Sequence, residues 1–236
     1  MSNSFFQFKQ FRIEQDKCAM KVCTDSCIFG AWISVPHSTK QILDIGTGTG
    51  LLSLMLAQKS TANITAIEID KDAYAQAKFN FENSKWKESI SIILGDLRTY
   101  SFDKKFDFII CNPPFFKDKI VSYTTAEQIA KHSTHLQIEE LFFAIDKLLQ
   151  QDGKCALLFP YFRKEEIEKI AAQYHLQLEK TLYLKQTPNH DFFRYIALFS
   201  KDKVERIEHQ SFSIKDKQDS YSEEIKNLLQ PYYLNL

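Results

Sequence analysis

The run Asn112-Pro113-Pro114-Phe115 gathers groups suited to one kind of atom, a planar nitrogen that is to receive a methyl group. Two successive prolines remove two N–H donors, fix φ at both positions and hold Asn112 extended, so no helix begins there. The Asn112 side-chain oxygen and the Pro113 carbonyl are then two acceptors on one rigid corner, beside the aromatic face of Phe115. An exocyclic NH2 group suits that corner. Its two N–H bonds go to the two acceptors, and its ring or amide plane lies on the aromatic. Conjugation makes such a nitrogen a poor nucleophile, and preorganised acceptors that stabilise the positive charge growing on it promote transfer.

A methyl donor needs its own cradle, and Asp44-Ile45-Gly46-Thr47-Gly48-Thr49-Gly50, with three of the chain's six glycines, reads as one. Gln41 to Ile45 has the pattern of a short buried strand. Gly50 to Gln58 has that of a helix with Leu51, Leu52, Leu54, Met55 and Leu56 on its buried side. A glycine-rich turn between strand and helix N-terminus lets a ligand approach the backbone closely. The dinucleotide fingerprint is G-x-G-x-x-G, whereas this turn is G-x-G-x-G behind Asp44. A carboxylate there suits an amino-acid ammonium better than a pyrophosphate. A nicotinamide oxidoreductase would lack its fingerprint and have no use for the Asn-Pro-Pro-Phe corner.

Asn63 to Ile69 reads as a second strand with Glu68 near its end, about twenty residues past the glycines, where a carboxylate can take ribose hydroxyls. Ser91 to Leu94 is a third, followed by Asp96, which is placed to receive an adenine amine. Phe106 to Cys111 is the fourth and delivers Asn112. All these groups follow strands, so in a parallel sheet they share the ligand edge of an open α/β fold.

In this order and spacing the segments resemble a class I S-adenosylmethionine-dependent methyltransferase. A narrower similarity spans nearly the whole chain. Phe8-Lys9-Gln10-Phe11, Cys18-Ala19-Met20-Lys21-Val22, Thr24-Asp25, Gly30-Ala31-Trp32 and the tail Tyr221-Ser222-Glu223-Glu224 through Pro231-Tyr232-Tyr233-Leu234 resemble the bacterial tRNA1(Val) adenine-37 N6-methyltransferase family. Cys23 and Ser26 stand where that family usually has glycine. The resemblance implies S-adenosylmethionine as cofactor, bound by Lys21, Thr24, Asp25, Asp44, Gly46, Gly48, Gly50, Glu68, Asp96 and Asn112. It implies catalysis by Asn112, Pro113, Pro114 and Phe115 on adenosine 37 in the anticodon stem-loop of a tRNA. The implied fold is a Rossmann-like, doubly wound, mostly parallel seven-stranded α/β sheet whose last strand is antiparallel and inserted beside the fifth. Protein glutamine methyltransferases and ribosomal RNA guanine N2-methyltransferases share the Asn-Pro-Pro-Phe chemistry, and on these residues both stay open.

The elements that must position this chemistry alternate between helical and strand patterns from Gln41 to Ser200, within 236 residues that suit a single domain. We expect an N-terminal cap over residues 1–35, a catalytic core over 36–200 and a C-terminal extension over 201–236. Ile138, Leu141, Phe142, Ile145, Leu148 and Leu149 mark a helix stopped by Asp152-Gly153, before a strand from Lys154 to Phe159. Ile167, Ile170, Ala171 and Tyr174 mark another helix, followed by strands around Leu176 to Leu184 and Phe192 to Phe199. In the cap, Thr24 or Asp25 is expected to cap a short helix from Ser26. The aromatic run Phe5 to Arg12 reads better as a strand packing on the core than as a base-stacking surface. Glu223 to Leu229 is helix-like.

Five cysteines without a C-x-x-C pair argue against a disulfide framework and against a zinc site, so no metal is expected. Cys18, Cys23 and Cys27 read as ordinary thiols, and Cys111 as a strand-end thiol rather than a nucleophile. No apolar run approaches a membrane span and no signal peptide is evident, which points to a cytoplasmic protein with no membrane partner; the residues leave the oligomeric state open, a monomer included. Net charge is zero, so RNA would need a locally basic face. Lys9, Arg12, Lys17 and Lys21, with Lys117, Lys119, Lys131, His132 and His135 after the corner, are the candidates, and binding should be salt-sensitive.

Overall fold

Neighbouring apolar residues along the central strands belong to opposite faces of one sheet, as the two-residue period of a strand requires. Ile42, Ile64, Phe108, Ile110, Ala156 and Leu158 enter one core, while Leu43, Ile45, Ile67, Ile109, Cys155 and Leu157 enter another. Because both faces are covered, the strands read as near-continuous apolar runs. The computed structural model describes residues 3–18, 20–113 and 136–236. Pro114, Phe115, Lys117, Lys119, Lys131, His132 and His135 lie outside them.

A hairpin of β1 (Phe5–Gln7) and β2 (Arg12–Glu14) leads to α1 (Thr24–Trp32). The core then runs β3 (Gln41–Ile45), α2 (Leu51–Ala57), β4 (Asn63–Glu68), α3 (Lys71–Glu82), β5 (Ile90–Leu94) and β6 (Phe106–Cys111). After the undescribed stretch come α4 (Ile138–Leu148), β7 (Leu149–Pro160), a 3-10 turn (Tyr161–Arg163), α5 (Lys164–Gln173), β8 (Gln177–Lys185) and β9 (Phe192–Ser200). The chain ends with β10 (Glu208–Ser213) and α6 (Glu223–Leu229).

The large sheet has the order β10-β8-β9-β7-β6-β3-β4-β5. Strands β3 to β7 pair in parallel, and β9 lies antiparallel between β7 and β8. β9 is thus the antiparallel last core strand, inserted beside the fifth as the resemblance implied. Among the described residues the sheet nevertheless has eight strands rather than seven, because β10 from the C-terminal extension adds in parallel to β8 over Glu208↔Lys180 to Ser213↔Lys185. Sequence did not announce β10: its residues are only partly covered and its polar side chains alternate weakly.

Two elements also start more than one residue from where they were expected. Helix α1 starts at Thr24, with Cys23 as an extended N-cap residue, and neither Thr24 nor Asp25 caps it. Strand β7 begins at Leu149, directly after α4, instead of at Lys154. Leu149 pairs with Phe106 and Lys154 with Phe108, so the entry to β7 is a register shift in which extra residues are accommodated. Gly153 permits it, since a Cβ there would lie 2.7 Å from the Leu149 side chain.

The aromatic N-terminal run packs on the core. Phe8 is fully buried, forms a bridge to Tyr233, and has its ring 4.5 Å from that of Phe11. The cap and the extension therefore meet, with the Lys9 N–H donating to Tyr232 O at 2.8 Å and the Lys9 ammonium to Gln230 O. Arg12 pairs with Glu14 at 2.6 Å and covers the Phe5 ring, so two of the candidate RNA-facing cations are already engaged. Removing the Phe8 ring by Phe8→Ala should cost about 3–5 kcal/mol of stability through lost burial and a residual cavity. Urea unfolding measures it, and a loss below about 1 kcal/mol would mean that the hairpin is an appendage rather than part of the core.

Candidate active site

Each candidate group sits where a strand ends. Asp44, the penultimate residue of β3, is fully buried, and its Oδ2 accepts from Thr47 Oγ1 at 2.7 Å and from Ser53 Oγ at 2.6 Å. The carboxylate thus joins the strand, the turn and α2. Its other oxygen, Oδ1, is buried without a hydrogen-bond partner among the described residues. Burial drives its pKa up to about 6, against the lowering effect of the two hydroxyls, with the Glu68 charge a smaller upward contribution.

The turn itself runs through left-handed backbone at Gly46, Gly48 and Gly50. Gly48 (φ 57°) has nothing within 4 Å of where a Cβ would stand, an open face on which a ligand can meet the backbone. Gly50 (φ 82°) serves packing instead, because a Cβ there would fall 2.4 Å from the Phe81 ring. Gly46 and Thr47 N–H groups both reach Ile67 O, which stitches the turn to the end of β4.

Glu68 ends β4 and is 7% exposed. Its Oε2 accepts from Gly48 N at 2.9 Å, and its Oε1 from Ile69 N and Asp70 N at 2.9 and 3.0 Å. A carboxylate offers about four lone-pair positions, so Glu68 holds the turn and keeps capacity for about one more donor. Beyond β5, Asp96 is gripped by Arg98, with Nη2 to Oδ2 at 2.6 Å and Nε to both oxygens at 3.0 Å. The guanidinium beside it holds the Asp96 carboxyl below the usual range. Arg98 also lies 3.9 Å from Glu140 at the start of α4. Sequence reasoning passed over Arg98, though its place two residues after Asp96 was a signal.

Asn112 follows β6, the neighbour of β3 with Cys111 in register with Ile45. Its Nδ2 donates to Ser26 Oγ in α1 at 2.9 Å, and its Oδ1 is buried with no partner among the described residues. Next to Ser26, Asp25 accepts from Arg194 Nε at 2.6 Å through Oδ2 and from Ser26 N at 3.0 Å through Oδ1. Each Asp25 oxygen therefore accepts one hydrogen bond from the protein. Arg194 is a second residue that sequence reasoning missed, and no local signal marks a partner 169 positions away.

The structure brings together Asp44, the glycine turn, Glu68, Asp96 and Asn112 along one sheet edge. Thr24 is half-buried at the head of α1, and Lys21 points its ammonium toward Asn3 O at 3.4 Å. Cys111, which adjoins Asn112, is 1% exposed, and burial holds its pKa well above the ordinary thiol value, the setting of an inert thiol. Burial likewise pushes Cys18 to about 12 and Cys23 to about 11. Among the described residues no group of three or more His, Cys, Asp or Glu side chains is arranged to hold a metal.

These groups suit S-adenosylmethionine, a ligand with an α-ammonium, a ribose diol and an adenine. Asp44 Oδ1 is an unpaired buried acceptor for a cation, Gly48 gives open backbone, and Glu68 and Asp96 follow on successive strands.

Comparison with known proteins gives a consistent picture. Residues 26–174 match the family model described as methyltransferase small domain. The chain is similar to the tRNA1(Val) (adenine(37)-N6)-methyltransferase of Cytophaga hutchinsonii, with 42% identity over 242 residues and 100% of both chains covered. It is 40% identical over 238 residues to the protein of that name from Bacteroides thetaiotaomicron, again over 100% of both. Among solved structures, a predicted O-methyltransferase from Agrobacterium tumefaciens superposes with a TM-score of 0.68 at 14% identity, over 89% of this chain and 99% of that one. That last likeness carries the fold alone.

If Asp44 receives the donor's ammonium, only its ionised form serves. Donor affinity should then be greatest at about pH 7, between the Asp44 transition and loss of the donor's own α-ammonium proton at about pH 8, and weaken below about 6 as Asp44 takes up a proton, approaching tenfold per pH unit. Calorimetry near pH 6 in buffers of differing ionisation enthalpy should show proton release on binding. Affinity that stays flat from pH 7 to 5 would remove Asp44 from the donor site.

Proposed function

The chain belongs to the tRNA1(Val) (adenine(37)-N6)-methyltransferase family, and from that membership we propose that it methylates the 6-amino group of adenosine 37 in the anticodon stem-loop of tRNA1(Val). One observation supports the residue assignment above the others. Asp44 Oδ1 and Asn112 Oδ1, both buried acceptors without partners among the described residues, stand at the ends of adjacent, in-register strands. One suits the cationic end of the methyl donor, and the other suits an N–H of the amine that receives the methyl.

Bound S-adenosylmethionine supplies an electrophilic methyl on a sulfonium. Asp44, Gly46, Gly48, Glu68 and Asp96 hold and orient that donor from the ends of β3, β4 and β5, Gly50 lets the turn pack against Phe81 behind them, and Lys21, Thr24 and Asp25 border it from the cap. Asn112 Oδ1 and the Pro113 carbonyl take the two N–H bonds of the adenine amine, which lets the nitrogen pyramidalise and aim its lone pair. As positive charge grows on that nitrogen the same acceptors stabilise it, and they need little reorganisation because they stand on Pro113 and the end of β6. The methylated ammonium is acidic and releases its proton to solvent, so no strong general base is required. Pro114 and Phe115 complete the corner in this reading, with Phe115 as the platform for the extruded base.

The acceptor suits a protein without net charge. An anticodon-loop base has no Watson–Crick partner, so extruding it costs less than opening a duplex. Such an enzyme works where tRNA is, in the cytoplasm, and nothing in the chemistry requires a second subunit. Among the described residues no helix is long and apolar enough to cross a membrane.

Asn112→Ala should cut single-turnover methyl transfer by roughly 100-fold or more while leaving donor affinity nearly intact, since the lost acceptor acts chiefly in the transition state. Phe115→Ala should weaken RNA engagement and turnover together, by about 1–3 kcal/mol. The substrate is tested by mass spectrometry of tRNA from a strain lacking the gene, which should lose 6-methyladenosine from the valine anticodon loop. Persistence of that nucleoside, with loss of methyl from a release-factor glutamine or a ribosomal guanine, would overturn the substrate assignment.

A further inference from the structure

We propose that Ser26 is a positioning residue for Asn112, fixing which end of the amide faces the substrate amine. The inference rests on the reading of Asn112 Oδ1 as an acceptor for the adenine 6-amino group. It adds a helix residue 86 positions away to that corner.

An asparagine ends in two groups of nearly equal shape and opposite character, an accepting oxygen and a donating NH2. Rotation of its terminal torsion by half a turn exchanges them, and that torsion has a broad, roughly two-fold preference. In the wrong orientation Asn112 would confront the N–H bonds of the substrate with its own. Extended backbone and a following proline fix where the amide stands but not which way round it faces. In this chain a group outside β6 is placed to break the near-degeneracy, at a position where the family usually has glycine.

Ser26 supplies that asymmetry. Its hydroxyl oxygen lies 2.9 Å from Asn112 Nδ2, and the residue is 5% exposed in the first turn of α1. Cys23 Sγ lies 3.0 Å from the same hydroxyl. When the Ser26 proton is directed to that sulfur, the hydroxyl lone pairs face Asn112 and can only accept. The NH2 end is thereby pinned toward α1, and Oδ1 is left as the buried acceptor without a partner among the described residues. The hydroxyl is itself well located, because the preceding residue, Asp25, is tied to Arg194 on β9. Ser26 touches no reacting atom in this scheme and acts entirely through Asn112.

The test is a double-mutant cycle on the full-length enzyme, read as single-turnover transfer of labelled methyl from saturating S-adenosylmethionine to unmodified tRNA. Rates are scaled to the fraction of protein that binds donor in calorimetry, so a partly unfolded variant does not mimic a slow one. Ser26→Ala should lower the rate roughly tenfold, as expected for one lost hydrogen bond, with donor Kd and tRNA KM within about twofold of wild type. In an Asn112→Ala background the same Ser26→Ala change should have no further effect, because the side chain it orients is gone. A Ser26→Ala rate within twofold of wild type, or an equal loss in both backgrounds, overturns the proposal. A near-normal rate for Asn112→Ala alone would instead overturn the reading of Asn112, whatever Ser26 does.

Discussion

A carboxylate without access to water at the end of a central strand is the constraint on which the rest of this site depends. Asp44 is fully buried, and an isolated charge there would be prohibitive. Thr47 and Ser53 hydroxyls offset part of that cost through Oδ2, which forces the turn to fold back over the strand end and α2 to start where Ser53 can reach it. The backbone can make that return only through left-handed conformations, hence the glycines. Once folded, the turn presents its N–H groups to β4, with Gly46 and Thr47 donating to Ile67 O and Gly48 to Glu68. The two acids on adjacent strands are therefore parts of one hydrogen-bonded unit. Because Asp44 Oδ1 stays unpaired within that unit, its remaining desolvation cost can be relieved by a bound cation.

The parallel register carries the same logic sideways. Ile45 stands opposite Cys111 and Ile67, and Glu68 opposite Leu94, so the residues that follow β3, β4, β5 and β6 emerge at one level. No loop has to be long for the groups proposed to face the donor and the corner proposed to face the amine to be neighbours. A single sheet edge thus brings together groups that are dispersed in the chain.

This explains which features were legible in the amino-acid sequence. Strand ends followed by Gly, Asp, Glu or Asn are local signals, and β3 and β6 span the residues their apolar runs indicated. Asp44, Glu68, Asp96 and Asn112 stand out for the same reason. What escaped depends on partners distant in the chain. Asp25 read as a cap, which it is not, and its pairing with Arg194 from β9 left no local trace. The entry to β7 was masked because Leu149 continues the apolar spacing of α4 while serving as the first strand residue, and Gly153 looked like a stop when it is a bulge. Strand β10 escaped because an edge strand with one neighbour needs little apolar alternation.

Helix α1 shows why the cap and the extension are more than attachments to a catalytic core. Its orientation decides whether Ser26 meets Asn112, and it is determined from several sides at once. At the N-terminus Asp25 is bound to Arg194. In the middle Gly30 lies so close to α2 that a Cβ would meet Met55 Sδ at 2.6 Å, which locks the helix pair at short range. At the C-terminus the Lys59 ammonium donates to the Gly30, Ala31 and Ile33 carbonyls, meeting orphan acceptors that a helix end leaves behind. Trp32 Nε1 reaches Gln210 on β10 at 2.7 Å, while Gln58 and the Met55 carbonyl are engaged by Pro231 and Tyr232 from the tail. Three of these contacts come from segments beyond residue 201, one on α1 and two on the α2 packed against it, so β10 and the C-terminal tail help to place the helix whose Ser26 meets Asn112.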